Sequence, residues 1–344
     1  MRETMKILTD LSGISGNEKT VAAHIREQLV NAPAVESIKM DRIGNCVVTL
    51  KGKQPAPHTV VLAAHMDEVG GIVTGITDDG YLRFETVGGI LPSVLYARRV
   101  CVNGHIGVIG GKAIHMCKDK EKGIVPSVAD MRIDIGADTR KQAETVVNLG
   151  DPITFVSEYT ALDERLFKAK ALDDRAGCYM LLELAKTQPE YDVTIVFTVQ
   201  EEVGLRGATV AGNVLQPEYT VVVDATTAAD TAGVPEDKQV CRVFGGPVVS
   251  FMDRRTFYDQ TLYNHIRSLA EKHAIPSQTK TMVAGGNDAG AFQTSGIGSR
   301  VAAVSLPCRY IHSPSCVLSY EDVENTQKLL RILMNTLPAW DGTA

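Results

Sequence analysis

No two of the seven cysteines (Cys46, Cys101, Cys117, Cys178, Cys241, Cys308 and Cys316) are spaced C-x-x-C, their number is odd, and they are scattered along the chain. That excludes a disulfide framework and a zinc ribbon and leaves ordinary thiols. Apolar runs are short, none approaching the roughly 20 residues of a membrane span. The opening Met1-Arg2-Glu3-Thr4-Met5-Lys6 mixes charges where a signal peptide carries an uninterrupted apolar stretch, so a cytoplasmic protein is expected. Basic residues are not in excess: 35 Lys and Arg stand against 41 Asp and Glu, a net charge of −6. This balance argues against nucleic acid and against an anionic membrane as partners. Aromatic residues make up 6% of the chain, with one tryptophan, Trp340, near the C-terminus, so an aromatic platform for a sugar is lacking. Familiar catalytic signatures are missing too, with no H-E-x-x-H and no G-x-S-x-G. Gly110-Gly111-Lys112 is not a phosphate loop, because Ile106 holds the earlier glycine position and Ala113 the Ser/Thr position.

What is present is a globular chain. Its 344 residues are 44% hydrophobic, which excludes disorder, and length alone corresponds to about two domains at ~150 residues each. Two helical patterns open the chain, one from Met1 to about Leu11 and one starting near Gly16-Asn17 with Val21, Ile25 and Leu29 at four-residue spacing. Strand patterns follow at Ser37–Asp41 and Cys46–Leu50 around a Gly44-Asn45 turn, and His58–Ala64 reads as a strand buried on both faces. From Gly71 to about Ser157 the texture changes to short strands and frequent turns, at Ile72–Thr77, Tyr81–Val87, Arg99–Val102, Ile106–Ile109, Met131–Ile135 and Ile153–Val156. Asp78-Asp79-Gly80 and Asn103-Gly104 are hairpin signals, and this stretch reads as a small β-barrel with a polar loop at Lys112–Val128. From Asp163 helices and strands alternate again: helices at Asp174–Thr187, Leu205–Asn213, Tyr258–His273 and Glu321–Leu337, strands at Val193–Val199, Tyr219–Val223 and Val301–Leu306. The alternation predicts a parallel α/β sheet covered on both faces and interrupted by the β-rich insert.

Acidic and histidine residues recur at the ends of the predicted strands, where open α/β sheets place their ligand sites. His65 and Asp67 follow one strand and, two residues apart, face the same side of an extended chain. Asp173-Asp174 opens a helix, Glu201-Glu202 follows a strand, Asp224 ends one, and His312 follows another after a short loop. Singly each has an ordinary explanation: a helix cap for Asp174, a solvated loop for Glu201-Glu202, a structural histidine. Together, several carboxylates on one sheet edge repel one another unless a cation neutralises them, and histidines with carboxylates suit zinc, cobalt or manganese. There are enough ligands for two ions.

These residues stand in motifs that resemble the tetrahedral-type di-metal aminopeptidases, the glutamyl-aminopeptidase-like group. The motifs are Ala64-His65-Met66-Asp67-Glu68-Val69-Gly70, Ala171-Leu172-Asp173-Asp174-Arg175-Ala176-Gly177, Gln200-Glu201-Glu202-Val203-Gly204-Leu205-Arg206-Gly207-Ala208, Val223-Asp224 and Ile311-His312-Ser313-Pro314. Five motifs in order over almost the whole chain are specific where one alone is not. The resemblance implies that His65 and Asp224 each ligate one ion on separate sides of the site, that Asp173 bridges both ions, and that Glu202 and His312 complete the other ion's shell. It makes Glu201 the general base acting on a metal-bound water, and Asp67 the carboxylate that orients His65. It implies a cis peptide between Asp173 and Asp174. It further implies an α/β, mostly parallel-sheet, phosphorylase/hydrolase-like catalytic domain over residues 1–68 and 164–344, with a β-barrel for dimerisation and assembly inserted at 69–163. Peptides with a free N-terminus would be the substrates, and twelve subunits the assembly. Two positions depart from the family pattern: Cys316 where many relatives have an acidic residue, and Asn287 in Gly285-Gly286-Asn287-Asp288 where Gly-Gly-Thr-Asp is usual. Three other readings stay open: a related di-metal deacylase or carboxypeptidase, a glycoside hydrolase with carboxyls about 5–9.5 Å apart, and a binding scaffold whose site is dead.

Overall fold

The computed structural model describes residues 1–119 and 123–343, and of Ile114 the backbone only. The polar loop expected over Lys112–Val128 therefore lies partly outside the described residues, as does Ala344. Helices α1 (Arg2–Asp10) and α2 (Lys19–Leu29) lead into strands β1 (Val35–Met40), β2 (Cys46–Leu50) and β3 (Val60–His65). The next stretch carries β4 (Gly70–Ile76), β5 (Leu82–Val87), the one-turn helix α3 (Pro92–Leu95), β6 (Arg99–Val102), β7 (His105–Gly110), β8 (Arg132–Asp134), the one-turn α4 (Arg140–Ala143) and β9 (Pro152–Phe155). After β10 (Thr160–Ala161) and β11 (Leu166–Ala169) come α5 (Leu172–Ala185), β12 (Val193–Thr198), α6 (Arg206–Leu215) and β13 (Tyr219–Thr227). The chain closes with β14 (Val248–Val249), α7 (Gln260–Lys272), β15 (Gln278–Thr279), α8 (Ala289–Thr294), β16 (Arg300–Cys308), β17 (Cys316–Ser319) and α9 (Tyr320–Thr336).

An eight-stranded sheet runs in the order β1-β2-β12-β3-β13-β16-β14-β15. Its centre, β12-β3-β13-β16, is parallel, while β2 joins β12 and β14 joins β16 antiparallel. Every residue of β3 is buried, and its alternation feeds two cores. Leu62 and Ala64 pack with the helices α1, α2, α5 and α9, and Val61 and Ala63 pack with α6 and α8. The apolar run His58–Ala64 is thus the signature of a strand covered on both faces.

The insert closes on itself as a six-stranded barrel, in the order β4-β5-β8-β7-β6-β9. Its strands alternate: in β5 Leu82 and Phe84 are buried while Arg83 and Glu85 face out. Leu82, Phe84, Val100, Val102, Ile133 and Phe155 belong to a core separate from that of the main sheet.

Three local expectations change. Strand β13 does not end before Asp224 but runs on to Thr227, because β16 continues the parallel pairing as far as Thr227↔Cys308. Glu201-Glu202 is not the open solvated loop of its ordinary explanation: the N–H groups of Gly204 and Leu205 both donate to the Glu201 carbonyl, each at 2.9 Å, forming a tight turn. A small sheet of β10, β11 and β17, and the helix α8, have no counterpart among the predicted elements.

Candidate metal centre

The parallel strands end along one edge, and the candidate residues collect there. His65 closes β3, in register with Thr198 at the end of β12. Asp224 lies on β13, two residues beyond Val222, the partner of Ala63 on β3. The β12–α6 turn brings Glu201 and Glu202, the start of α5 brings Asp173, and the loop between β16 and β17 brings His312. The backbone bends sharply to do this. Ala171, Gln200, Tyr310 and His312 all have positive φ, between 54° and 60°. Non-glycine residues enter this region rarely, and they concentrate where a functional geometry is held against local preference. The Asp173–Asp174 peptide is cis, as the resemblance implies.

Asp173 stands at the middle. Its Oδ1 is 3.1 Å from His65 Nε2, and its Oδ2 is 3.4 Å from His312 Nε2. On the first side Asp224 Oδ1 is 3.7 Å from the same His65 nitrogen; on the other, Glu202 Oε1 is 3.3 Å from His312 Nε2. One carboxylate thus faces two imidazoles, each accompanied by a second carboxylate. The far ring nitrogens are tied back. His312 Nδ1 meets the Gly89 carbonyl at 2.8 Å, and His65 Nδ1 meets the Asp67 carbonyl at 3.1 Å and its Oδ1 at 3.4 Å. With Nδ1 donating, each Nε2 is left to turn its lone pair toward the cluster, the arrangement that metal-binding imidazoles use.

Asp67 is fully buried and does more than face His65. Its Oδ1 accepts from Glu201 N–H (3.0 Å), and its Oδ2 from Glu202 N–H (3.1 Å) and Ser15 Oγ (2.6 Å). Burial acts to raise its pKa, but hydrogen bonds from His65, Ser15 and Glu201 N–H hold it below the usual carboxylate range. One side chain therefore fixes both the imidazole and the Glu201-Glu202 turn.

The rest of the cluster is electrostatically unsatisfied. Burial, then the neighbouring Asp173, pushes the Glu202 carboxyl up to about 8 despite the two imidazoles, and burial pushes Asp224 up to about 6. Glu201 is driven well above its ordinary range by burial and by Asp288, Asp224 and Glu202, with His65 opposing. Burial disfavours the charged form of His312, yet Asp173 and Glu202 carry it up to about 10. Acids that hold protons and imidazoles that seek them are what a shared cation would replace. Ligand atoms of His65, Asp174 and Asp224, and of His65, Asp173 and Glu202, lie mutually within 4.8 Å. Oxygen and nitrogen donors at that spacing fit divalent transition metals.

Two residues enter the centre that pattern reasoning leaves aside. Asp174 Oδ1 accepts from Gly177 N–H at 3.0 Å, the helix-capping role, but its Oδ2 is buried without a partner. Asp288 precedes α8 and is 1% exposed; its Oδ2 accepts from Thr198 Oγ at 2.5 Å, while its Oδ1 has no partner and burial pushes the carboxyl up to about 7. The Gly285-Gly286-Asn287-Asp288 motif was the available signal. Asn287 instead accepts from Ala289 N–H (3.0 Å) and Tyr258 Oη (3.3 Å). Cys316 is buried, with its Sγ 3.4 Å from the Ser313 carbonyl. Trp340 stacks on His265 (ring centres 4.3 Å apart) and leans on Tyr219, inside the main core.

A sheet whose carboxyl edge gathers acids and imidazoles around one shared carboxylate defines a metal-dependent hydrolase. The family of M42 glutamyl aminopeptidases matches residues 44–329, and the chain belongs to it: it is a metallopeptidase of the aminopeptidase kind. A lysyl aminopeptidase of Pyrococcus furiosus is 34% identical over 99% of this chain and 99% of its own. An aminopeptidase of the archaeon Desulfurococcus kamchatkensis superposes with a TM-score of 0.92 at 32% identity, covering 97% of this chain and 94% of that one. The Pyrococcus horikoshii TET1 peptidase, described as able to assemble into a tetrahedron or a large octahedral shell, superposes with a TM-score of 0.86 at 34% identity, covering 97% and 99%.

Proposed function

We propose that the protein releases N-terminal amino acids from peptides with Glu201 as general base, and that it holds two divalent ions, zinc or cobalt, with manganese a further fit. The observation that carries this reading is Asp173, whose two oxygens face His65 and His312 separately. His65 and Asp224 would hold one ion, Glu202 and His312 the other, with Asp173 shared. Bound ions supply Lewis acidity, lowering the pKa of a water and polarising the scissile carbonyl. Glu201 takes the proton of the attacking water and passes it to the leaving amine, as base and then acid. The turn separates it from its neighbour: Glu202 points to His312, while the surroundings of Glu201 are Asp288, Asp224 and His65. Asp67 acts through others, by holding His65 and both glutamate N–H groups in place.

We further propose the division into a phosphorylase/hydrolase-like catalytic unit, residues 1–68 and 164–344, and an assembly unit, residues 69–163. Separate cores support the division. The barrel leaves Leu91, Ile106, Val108 and Leu149 between 45% and 69% exposed, which supports burial of this surface against other copies, and the reading is a homododecamer. Among the described residues no helix is long and apolar enough to cross a membrane, and all seven cysteines are free, which supports a cytoplasmic location. The test of the activity is a pair of peptides differing only at the N-terminus. The free-amine peptide should lose its first residue, detected by mass, while its N-acetylated twin stays intact. Internal cleavage of both would overturn the reading.

A further inference from the structure

A cavity of about 330 Å³ lies on the seam between the barrel and the small sheet of β10, β11 and β17, and no residue of the acid–imidazole cluster lines it. Arg98 and Arg99 line it from the barrel, where Arg99 opens β6, and Lys168 lines it from the middle of β11. Glu158 is the one acidic residue in its wall. We propose that this cavity is a binding site for a phosphate group, either free phosphate or the monoester of a small metabolite. The site is separate from the peptidase centre and does not depend on the aminopeptidase reading.

The three cations come from separate parts of the fold and are held in place by neutral groups. Ala97, with a φ of 62°, turns the chain into β6, and the Val156 N–H donates to the Arg99 carbonyl at 3.1 Å, tying that strand to the segment after β9. Arg98 Nε donates to the Val94 carbonyl at 3.0 Å. Lys168 stands opposite Thr160 on β10, and its Nζ donates to Ser157 Oγ at 3.3 Å. None of the three pairs with a carboxylate among the described residues. Elsewhere on this acidic chain arginines do find acids, as Arg140 does with Asp78 and Arg309 with Asp230. Most of the guanidinium and ammonium donors around the cavity therefore remain for a ligand. Three cations and one carboxylate leave two positive charges, which a phosphate group, with a charge of about −1.5 to −2 near pH 7, balances. Its tetrahedral oxygens can meet guanidinium forks and an ammonium arriving from different directions, a geometry that a planar carboxylate serves less well. The hydroxyls of Thr160 and Ser315 also line the wall. The volume lies in the range of pockets that hold small molecules, about 300–1,000 Å³, so an ester fits as well as the bare ion. Pro314 and Ser315 close the far wall. They follow His312 on the same loop, so the bound anion joins the barrel to the loop that carries this imidazole.

The test titrates the full-length, metal-loaded enzyme with inorganic phosphate and with glycerol phosphate by calorimetry. The expected result is saturable binding in the cavity that weakens as salt is added. Arg99→Ser and Lys168→Met should each weaken it by about tenfold or more, and Glu158→Gln should tighten it. Tighter binding of the ester than of inorganic phosphate would identify a phosphorylated metabolite as the occupant, and equal binding would identify free phosphate. Phosphate can also meet metal ions, so hydrogen exchange on the same samples locates it. Protection should rise in residues 97–99, 156–160 and 313–315. Two results would overturn the proposal. One is the absence of saturable binding of either probe below about 10 mM. The other is binding of unchanged affinity in an Arg99→Ser/Lys168→Met variant that circular dichroism shows to be folded, with protection confined to the segments around Asp173 and Glu201.

Discussion

Glu201 and Glu202 are neighbours with different duties, and substitution separates them. Glu201→Gln keeps the size and the Asp67 contact of its N–H but removes the base. Turnover should fall by about 10²–10⁴-fold while metal content by elemental analysis stays that of the wild type; loss of metal would make Glu201 a ligand. His312→Ala removes a ligand near Glu202 and should lower occupancy of one ion only, and full occupancy of both by the same analysis would contradict that assignment. Away from the centre, Asp322 accepts from the N–H groups of Phe244 (2.7 Å) and Gly246 (2.8 Å), yet burial pushes its carboxyl up to about 6. A folded-state pKa above the unfolded value means that the folded protein binds this proton more tightly. The stabilisation is present below pH ~4 and is lost as pH rises through about 6. The group should contribute a decline of up to roughly 3 kcal/mol over that window. Asp322→Asn should flatten the decline by that amount in denaturant titrations, and an unchanged slope would refute the assignment.

Among the elements, the strand ends are held by groups distant in sequence. Arg175, fully buried on α5, donates to the carbonyls of Met66 (2.6 Å), Leu8 (2.6 Å), Leu11 (3.1 Å) and Gly13 (3.3 Å), so one guanidinium fastens the end of β3 to the N-terminal segment. Lysine cannot span four acceptors, and Arg175→Lys should lower unfolding free energy by about 2–3 kcal/mol and weaken metal binding through the shifted His65; wild-type stability would refute this. Gly177 is similarly specified, since a Cβ there would lie 2.4 Å from both Asp174 carboxylate oxygens. The extent to which such features were legible beforehand follows from their periodicity. The β3 strand, the α2 stripe of Val21, Ile25 and Leu29, and the barrel strand Arg99–Val102 announce themselves in local pattern. The helix α8, only six residues long, is too short to show a period, and the small sheet of β10, β11 and β17 is completed by the pairing of β11 with β17 across more than 140 residues. The same holds at the site. Seven residues stand out by charge at strand ends, whereas Asp288 is recognisable only when α8 is seated beside Thr198.

For the whole molecule, the metal centre and the fold are one system. Without ions, Asp173, Asp174, Glu202 and Asp224 are buried against one another, so exhaustive chelation should lower Tm and readdition of zinc or cobalt should restore it. If the proposed dodecamer forms through the exposed apolar residues of the barrel, light scattering should give a mass near twelve times 37.1 kDa, and replacing Ile106 and Val108 with Asp should break that assembly; a wild-type monomer would refute it. The central claim is that this chain removes N-terminal residues through ions held by Asp173 and its neighbours, and metal-titrated turnover tests it most directly. The chelated enzyme should be inactive on every amino-acid p-nitroanilide, and activity should return on titration with zinc or cobalt and saturate at two equivalents per chain. Undiminished turnover after verified metal removal, or no turnover at any metal loading, would contradict the account.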